Sequence, residues 1–405
     1  MLRIDDTDAE RSREEYVTSI REDLAWLGMD VDGEQRQSQR LDHYEAAFQK
    51  LKADGRVYRA YETKQELDLK RKIQLGRGLP PIYDRAALKL TEADHLAMDA
   101  ENVAPHWRFK LDHASPITWE DGVRGPQNFD PAALSDPVIR RADGSWLYML
   151  PSAVDDIEMG ITDVLRGEDH VSNTAVQVQM FEAMDAPPPR FAHEALLMGK
   201  EGKLSKRLGS LGCDSFRGRG IEPEAIVALL ARLGTSRPVE PIADRAMLVE
   251  GFDLGTFGRA PAKFDDADLD RINTAIVHQL AYEDVADRLP AGMGADGWHA
   301  VLPNLTRVSD AEKLWALVTG PIEQPEFSDE DRAYLADAAQ ALVWGEDPWR
   351  ALTGALKQAT GRKGKTLFLP LRQALTGMDH GPDMGELLPL IGEGEARARL
   401  TRAAG

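Results

Sequence analysis

Residues 147–170 read LYMLPSAVDDIEMGITDVLRGEDH. Two short apolar runs, 147–154 and Val164-Leu165, are each followed by charge: Asp155-Asp156 after the first, and Arg166-Gly167-Glu168-Asp169-His170 after the second. Runs this short and apolar suit strands buried on both faces of a parallel sheet. Charged groups just past such a strand lie at its carboxyl end, where open α/β sheets bind ligands. Arg166 can there receive a carboxylate on its planar fork of donors. A loop with an internal Arg–Glu pair and a helix cap would use the same residues. Tyr148 with Asp155 and Asp156 can line a polar pocket, or simply form a buried tyrosine and a turn.

Upstream, Met1 to Ile4 reads as a short strand, and Asp5, Asp6 and Asp8 follow at once. Clustered acids at a strand end can hold an ammonium or a divalent ion. They also favour the start of a following helix. Ser12 precedes Glu15 by three positions, as in a capping box. Val17, Ile20, Leu24 and Leu27 then give that helix an apolar stripe. A strand this close to residue 1 is expected to be an edge strand, or to open a domain whose front lies outside the chain. Tyr44, Phe48 and Leu51 share a helical face within 42–53, and residues 62–77 form a charged helix. From about 103 to 150 apolar residues alternate, and Asp121-Gly122 and Asp143-Gly144 mark turns, so a mostly β insertion is expected. Residues 171–184 read as helix. After Gly212 the chain becomes mainly helical, with helices expected at 310–318, 329–343 and 383–400.

At 405 residues the chain suggests roughly two to four domains. Its 49 basic and 68 acidic residues leave a net charge of −19, which excludes a basic surface overall and leaves nucleic-acid binding to local patches. The single cysteine, Cys213, excludes an internal disulfide and a multi-cysteine zinc site. No apolar stretch approaches the about 20 residues a membrane span needs. The most concentrated basic element is Lys203-Leu204-Ser205-Lys206-Arg207 between Gly202 and Gly209. Three cations on a glycine-bounded loop suit a polyphosphate, although a solvated basic loop has the same composition. The histidines are scattered, and the glycines spell neither a P-loop nor a dinucleotide fingerprint.

Together these segments resemble the glutamyl-tRNA synthetases, a family of class I aminoacyl-tRNA synthetases. The resemblance rests on Leu2-Arg3-Ile4-Asp5-Asp6-Thr7-Asp8 with Glu10-Arg11-Ser12, and on Tyr83-Asp84-Arg85. It continues through Val154-Asp155-Asp156, the run from Gly160 to His170, Lys203 to Arg207, and Ala260-Pro261-Ala262-Lys263-Phe264-Asp265 with Asn273. It implies an α/β, Rossmann-like catalytic core in two parts, 1–48 and 146–211. It further implies an inserted α+β acceptor-binding module at 49–145, a helical stem-contact region at 212–300, and an all-helical anticodon-binding domain at 301–405. The family's opening strand, proline-rich loop and His-x-Gly-His-like signature have no counterpart in this sequence, so the core is expected to be incomplete at its front.

The implied activity is ATP-dependent activation of glutamate to glutamyl-adenylate and transfer to the 3′ end of tRNA(Glu). By this resemblance Asp5 falls near the substrate ammonium, Tyr148 on a glutamate-binding tyrosine, and Arg166 on the arginine that holds the side-chain carboxylate. Lys206 falls on the catalytic loop lysine that touches ATP, with Lys203 and Ser205 beside it and Leu204 and Arg207 at the nucleotide. Glu168 and Asp169 fall on the tRNA side, joined by the basic run Lys70, Arg71 and Lys72, for which a solvated helix face is the plain alternative. Mg2+ is expected with ATP. Arg59 and Ala60 stand where some relatives place zinc-binding cysteines, so zinc is not expected. A monomer in the cytoplasm is expected, with tRNA(Gln) left open as a second substrate. The alternative is a truncated form or paralogue that binds tRNA without catalysis. A shorter relative that glutamylates a tRNA base lacks the helical half, and glutaminyl-tRNA synthetases carry a β-barrel there, so both fit residues 212–405 less well.

Overall fold

The computed structural model describes residues 1–8, 11–199, 202–203 and 212–405. They fall into two compact units. The first takes the described residues up to 203 with Arg232–Pro238 and Gly251–Phe264, and the second takes the rest.

The first unit opens with β1 (Leu2–Ile4), α1 (Glu14–Trp26) and β2 (Glu34–Arg36), the two strands pairing in parallel from Leu2↔Glu34 to Ile4↔Arg36. Helix α1 starts later than expected. Asp8 accepts the backbone N–H of Ser12, so the helix is preceded by Arg13, which makes no side-chain cap. Only Val17 of its apolar stripe is buried, and Ile20 remains 42% exposed. Capping boxes form instead at Thr63–Glu66 and Thr91–Asp94. Helix α2 (Leu41–Ala53) buries Tyr44, Phe48 and Leu51, the face read from their spacing. A three-stranded antiparallel sheet follows, built from β3 (Val57–Ala60), β4 (His106–Phe109) and β7 (Val138–Arg140). Helices α3 (Lys64–Gly76) and α4 (Glu92–Ala100) lie between its first two strands in sequence.

Strands β5 (Ile117–Asp121) and β6 (Gly125–Phe129) form a hairpin that belongs elsewhere. Expected as part of the insertion, they join the sheet that carries Arg166, in the order β6-β5-β9-β8, where β8 is Asp163–Gly167 and β9 is Arg190–Glu194. β8, β9 and β5 run parallel. A single core holds Phe48, Phe109, Ile117, Ile139, Leu150, Phe181 and Phe191, and so spans both sheets. Residues 147–154 are not a strand. Met149–Glu158 form helix α5. Leu150, Ala153 and Val154 sit at i, i+3 and i+4, and Pro151 falls in the first turn, where a missing N–H costs nothing. A short apolar run does not separate strand from buried helix by itself. Helix α6 (Val171–Ala183) crosses from β8 to β9 and is buried continuously from Thr174 to Phe181. Strand β10 (Leu197–Gly199) pairs antiparallel with β11 (Gly202–Lys203) and parallel with β12 (Ala262–Lys263).

The second unit is helical throughout its described residues. Its helices are α7 (Cys213–Gly218), α8 (Pro223–Leu230), α9 (Arg245–Glu250), α10 (Asp266–Val277), α11 (Tyr282–Val285), α12 (Ala295–Val301), α13 (Asp310–Thr319), α14 (Asp329–Ala341), α15 (Pro348–Thr360), α16 (Lys365–Thr376), α17 (Met384–Ile391) and α18 (Glu393–Ala404). The single helix expected at 383–400 is divided at Gly392, whose φ of +82° only glycine adopts cheaply. One core runs from Val277 to Ala403. At its centre Arg399 is fully buried. Its Nε donates to Glu395, its Nη1 to the carbonyls of Leu317 and Leu375, and its Nη2 to that of Gly320. These carbonyls end α13 and α16, where intrahelical partners run out.

Arg399→Met should therefore destabilise this unit by at least about 3 kcal/mol, because several buried carbonyls lose their donors at about 1–3 kcal/mol each. Urea denaturation checks this, and a loss below about 1 kcal/mol would show that water replaces the guanidinium.

Candidate active site

Asp155 is wholly buried in α5. Its oxygens accept from Gln37 Nε2 at 2.9 Å, Arg40 Nε at 2.8 Å and Tyr44 OH at 3.1 Å. A buried carboxylate persists only with such partners. They tie α5 to the turn and helix that follow β2. Its neighbour Asp156 takes Arg3 Nη1 at 2.9 Å, and Arg3 Nε donates to Asp5 at 2.8 Å. Arg3 thus joins β1 to α5. Burial opposes its charge, but Asp5 and Asp156 outweigh burial and hold its pKa above the usual value. Asp156 is shifted upward, chiefly by burial, against the pull of Arg3.

Each acid after β1 has a separate partner. Asp5 meets Arg3, Asp6 accepts the backbone N–H and the hydroxyl of Ser38, and Asp8 lies 3.5 Å from Arg11. Asp5 is half exposed and keeps acceptor capacity facing outward.

Arg166 leaves β8 one residue before its carboxyl end, as the sequence predicts. Its Nη2 donates to Thr174 Oγ1 at 2.5 Å and Gln177 Oε1 at 2.8 Å, both on α6, and its Nε lies 3.3 Å from His193 Nε2 on β9. Three of its five N–H groups are therefore engaged by neutral partners, and Nη1 has no partner among the described residues. No carboxylate of the described residues touches it. Burial lowers its pKa, with Tyr148, Asp156, Asp121 and Asp169 only tempering the shift. Tyr148 stands at the start of α5, with its hydroxyl accepting from Asn173 Nδ2 and free to donate onward. Burial raises its pKa against the opposing charge of Arg166. Behind Arg166, His193 is fully buried, with its Nδ1 2.5 Å from Asp121 Oδ2 and its Nε2 2.7 Å from Thr174 Oγ1.

Among the described residues, the others chosen from the sequence make no hydrogen bond to Arg166. Glu168 is committed to Arg124 at 2.7 Å, and Asp169 is exposed. On α3, Lys70 pairs with Asp84, while Arg71 and Lys72 are exposed. Lys203 is placed by its backbone in β11, opposite Met198. Leu204, Ser205, Lys206 and Arg207 lie outside the described residues. Strand β12 brings the segment beginning at Ala260 against β10, on the side away from β11. His193, Thr174 and Gln177 were not singled out in the sequence. Asp121 was read only as a turn residue, and a lone histidine between Ala192 and Glu194 carries no spacing signal.

A family model for the catalytic domain of tRNA synthetases class I (E and Q) matches residues 1–271, and one for an anticodon binding domain matches residues 326–404. These place the fold and cleft within the class I aminoacyl-tRNA synthetases. A glutamate--tRNA ligase 2 of Erythrobacter litoralis is 75% identical over 100% of this chain and 91% of its own length. A glutamate--tRNA ligase 1 of Novosphingobium aromaticivorans is 69% identical over 99% of the chain and 91% of its own. The crystal structure of a glutamate tRNA ligase from Elizabethkingia meningosepticum in complex with its amino acid superposes with a TM-score of 0.86 at 25% identity, covering 100% of this chain and 92% of that one. The chain belongs to the glutamate--tRNA ligase family.

Asp155→Ala should cost roughly 3–5 kcal/mol, the usual result of stripping a buried charge pair of one partner. Thermal or urea unfolding of the variant checks this. A near-neutral variant would mean that α5 is held by its apolar face alone.

Proposed function

We propose that this chain activates glutamate with ATP and transfers it to the 3′ end of tRNA(Glu). The observation that carries this reading is Arg166, a half-buried guanidinium held by neutral groups, whose Nη1 has no partner among the described residues and whose charge is felt by Tyr148. Two donors there suit the side-chain carboxylate of glutamate. They would act through Nη1 rather than through a fully open fork. Asp5 would receive the substrate ammonium. One oxygen of the substrate α-carboxylate attacks the α-phosphorus of ATP, and the bond to pyrophosphate breaks. A ribose hydroxyl of the tRNA end then attacks the acyl carbon and AMP leaves. No protein nucleophile is needed.

Lys206, with Lys203, Ser205, Leu204 and Arg207, would stabilise the charge that develops on the phosphates. Mg2+, when bound with ATP, would neutralise phosphate charge. Among the described residues no cluster of three acids, histidines or cysteines gathers to hold a metal. In this reading 1–48 and 146–211 form the catalytic domain, with Glu168 and Asp169 toward tRNA, 49–145 the acceptor module, with Lys70, Arg71 and Lys72 toward tRNA, 212–300 the stem-contact region, and 301–405 the anticodon domain. The family match over 326–404 supports the last of these. The enzyme would work as a cytoplasmic monomer, with tRNA(Gln) tested beside tRNA(Glu). No helix of the described residues is long and apolar enough to cross a membrane. No observation favours a tRNA-binding protein without catalysis.

Arg166→Ala in the full-length protein should raise the KM for glutamate by roughly 10²-fold or more, the scale of truncating one partner of a desolvated charge pair, and leave the KM for ATP nearly unchanged. An unaltered glutamate dependence would refute the assignment. Lys206→Ala should slow adenylate formation by about 10²-fold, as loss of a transition-state donor does. Rapid-quench measurement of adenylate tests this, and a wild-type rate would remove Lys206 from the chemistry.

A further inference from the structure

We infer that His193 is a positioning residue for Arg166, fixing the plane of its guanidinium through a neutral imidazole that is itself set by Asp121. This rests on the reading of Arg166 as the carboxylate clamp. The three side chains stand on three adjacent parallel strands. Arg166 and His193 are direct partners in the register of β8 and β9, and Asp121 ends β5 on the far side of β9.

The direction of each hydrogen bond follows from Asp121. Its Oδ1 accepts the backbone N–H groups of Val123, Arg124 and His193. Its pKa lies below the ordinary carboxylate value, because the His193 bond and these N–H groups outweigh burial. An ionised carboxylate only accepts, so His193 Nδ1 carries the proton, and since Arg166 Nε can only donate, Nε2 presents its lone pair. That lone pair faces the Nε–H of Arg166 and the hydroxyl of Thr174. Thr174 donates to it and in turn accepts from Arg166 Nη2.

The geometry has a mechanical meaning. Thr174 and Gln177 both hold one nitrogen, Nη2, and leave the rest of the guanidinium to a further contact. The contact at Nε braces the plane at a second nitrogen, and Nη1 is left without a partner among the described residues. An imidazolium would place an N–H and a positive charge against another cation. Burial keeps the imidazole pKa low, with Arg166 and Arg124 adding to that effect and Asp121 opposing it.

Aminoacylation kinetics of the full-length protein, varied separately in glutamate and ATP, test the inference. His193→Asn keeps a donor toward Asp121 and removes the acceptor facing Arg166. Its KM for glutamate should rise about 10-fold or more, the factor for one hydrogen bond to a charged group, with the KM for ATP unchanged. His193→Gln can return an oxygen to the place of Nε2 and should lie within roughly threefold of wild type, less than the loss of that bond. Asp121→Asn donates to Nδ1, reverses the tautomer and should behave like His193→Asn. In an Arg166→Lys background, His193→Asn should add nothing, since the two act as a unit. Equal losses in the Asn and Gln variants, a fall in kcat alone, or full additivity with Arg166→Lys would overturn the positioning role. Thermal unfolding of each variant identifies losses that come from misfolding. An Arg166→Ala enzyme with unchanged KM for glutamate would sink the clamp reading and this inference together. A raised KM in Arg166→Ala with none in His193→Asn would sink this inference alone.

Discussion

The cleft depends on a buried carboxylate. Asp155 lies where no water reaches it, and it is tolerable there only because Gln37, Arg40 and Tyr44 converge on it. Those donors come from the turn after β2 and from α2, while the acceptor sits in α5. Tyr148 at the head of α5 and Asp156 beside the anchor therefore occupy fixed positions relative to β1. Arg3 completes the link by bridging Asp156 and Asp5. Two adjacent aspartates thus do different work: one holds the scaffold, and the other pairs with Arg3 with its acidity weakened by burial.

Charge is used economically in a chain of net −19. Many arginines are bound to specific acids, as Arg40 is to Asp155 and Glu158, Arg85 to Asp136, and Arg124 to Glu168. Arg362 pairs with Glu330 and Asp331 and covers the ring of Tyr334. Arg166 differs from these because the groups that touch it are neutral.

Parts of this were legible in the sequence and parts were not, for physical reasons. The α2 face and the strand that carries Arg166 showed in periodicity and in the charge after Val164-Leu165. The helical character of the second unit showed in its spacing. Helix α5 was misread because a buried helix and a buried strand share the same apolar composition over eight residues. The hairpin β5–β6 was assigned to the insertion because local alternation gives a strand but not its partner. Its place beside β9 is a pairing across some seventy residues. Asp121 and His193 were missed for the same reason, since neither has a signal until the sheet sets them side by side. The acids after β1 were read as a group, whereas the structure gives each a separate task.

The buried guanidinium of Arg399 also bears on how the chain is made. It closes the ends of α13 and α16 from α18. Ribosomes emit residues in order, so α13 emerges long before its closing group. The roughly 80 residues in between take on the order of 4–16 s to synthesise at about 5–20 residues per second. Throughout that interval the nascent bundle exposes apolar faces such as those of Leu314 and Trp315 without the contact that locks them. The second unit is thus a segment whose assembly is deferred until late in translation, and holdase chaperones have that window in which to act.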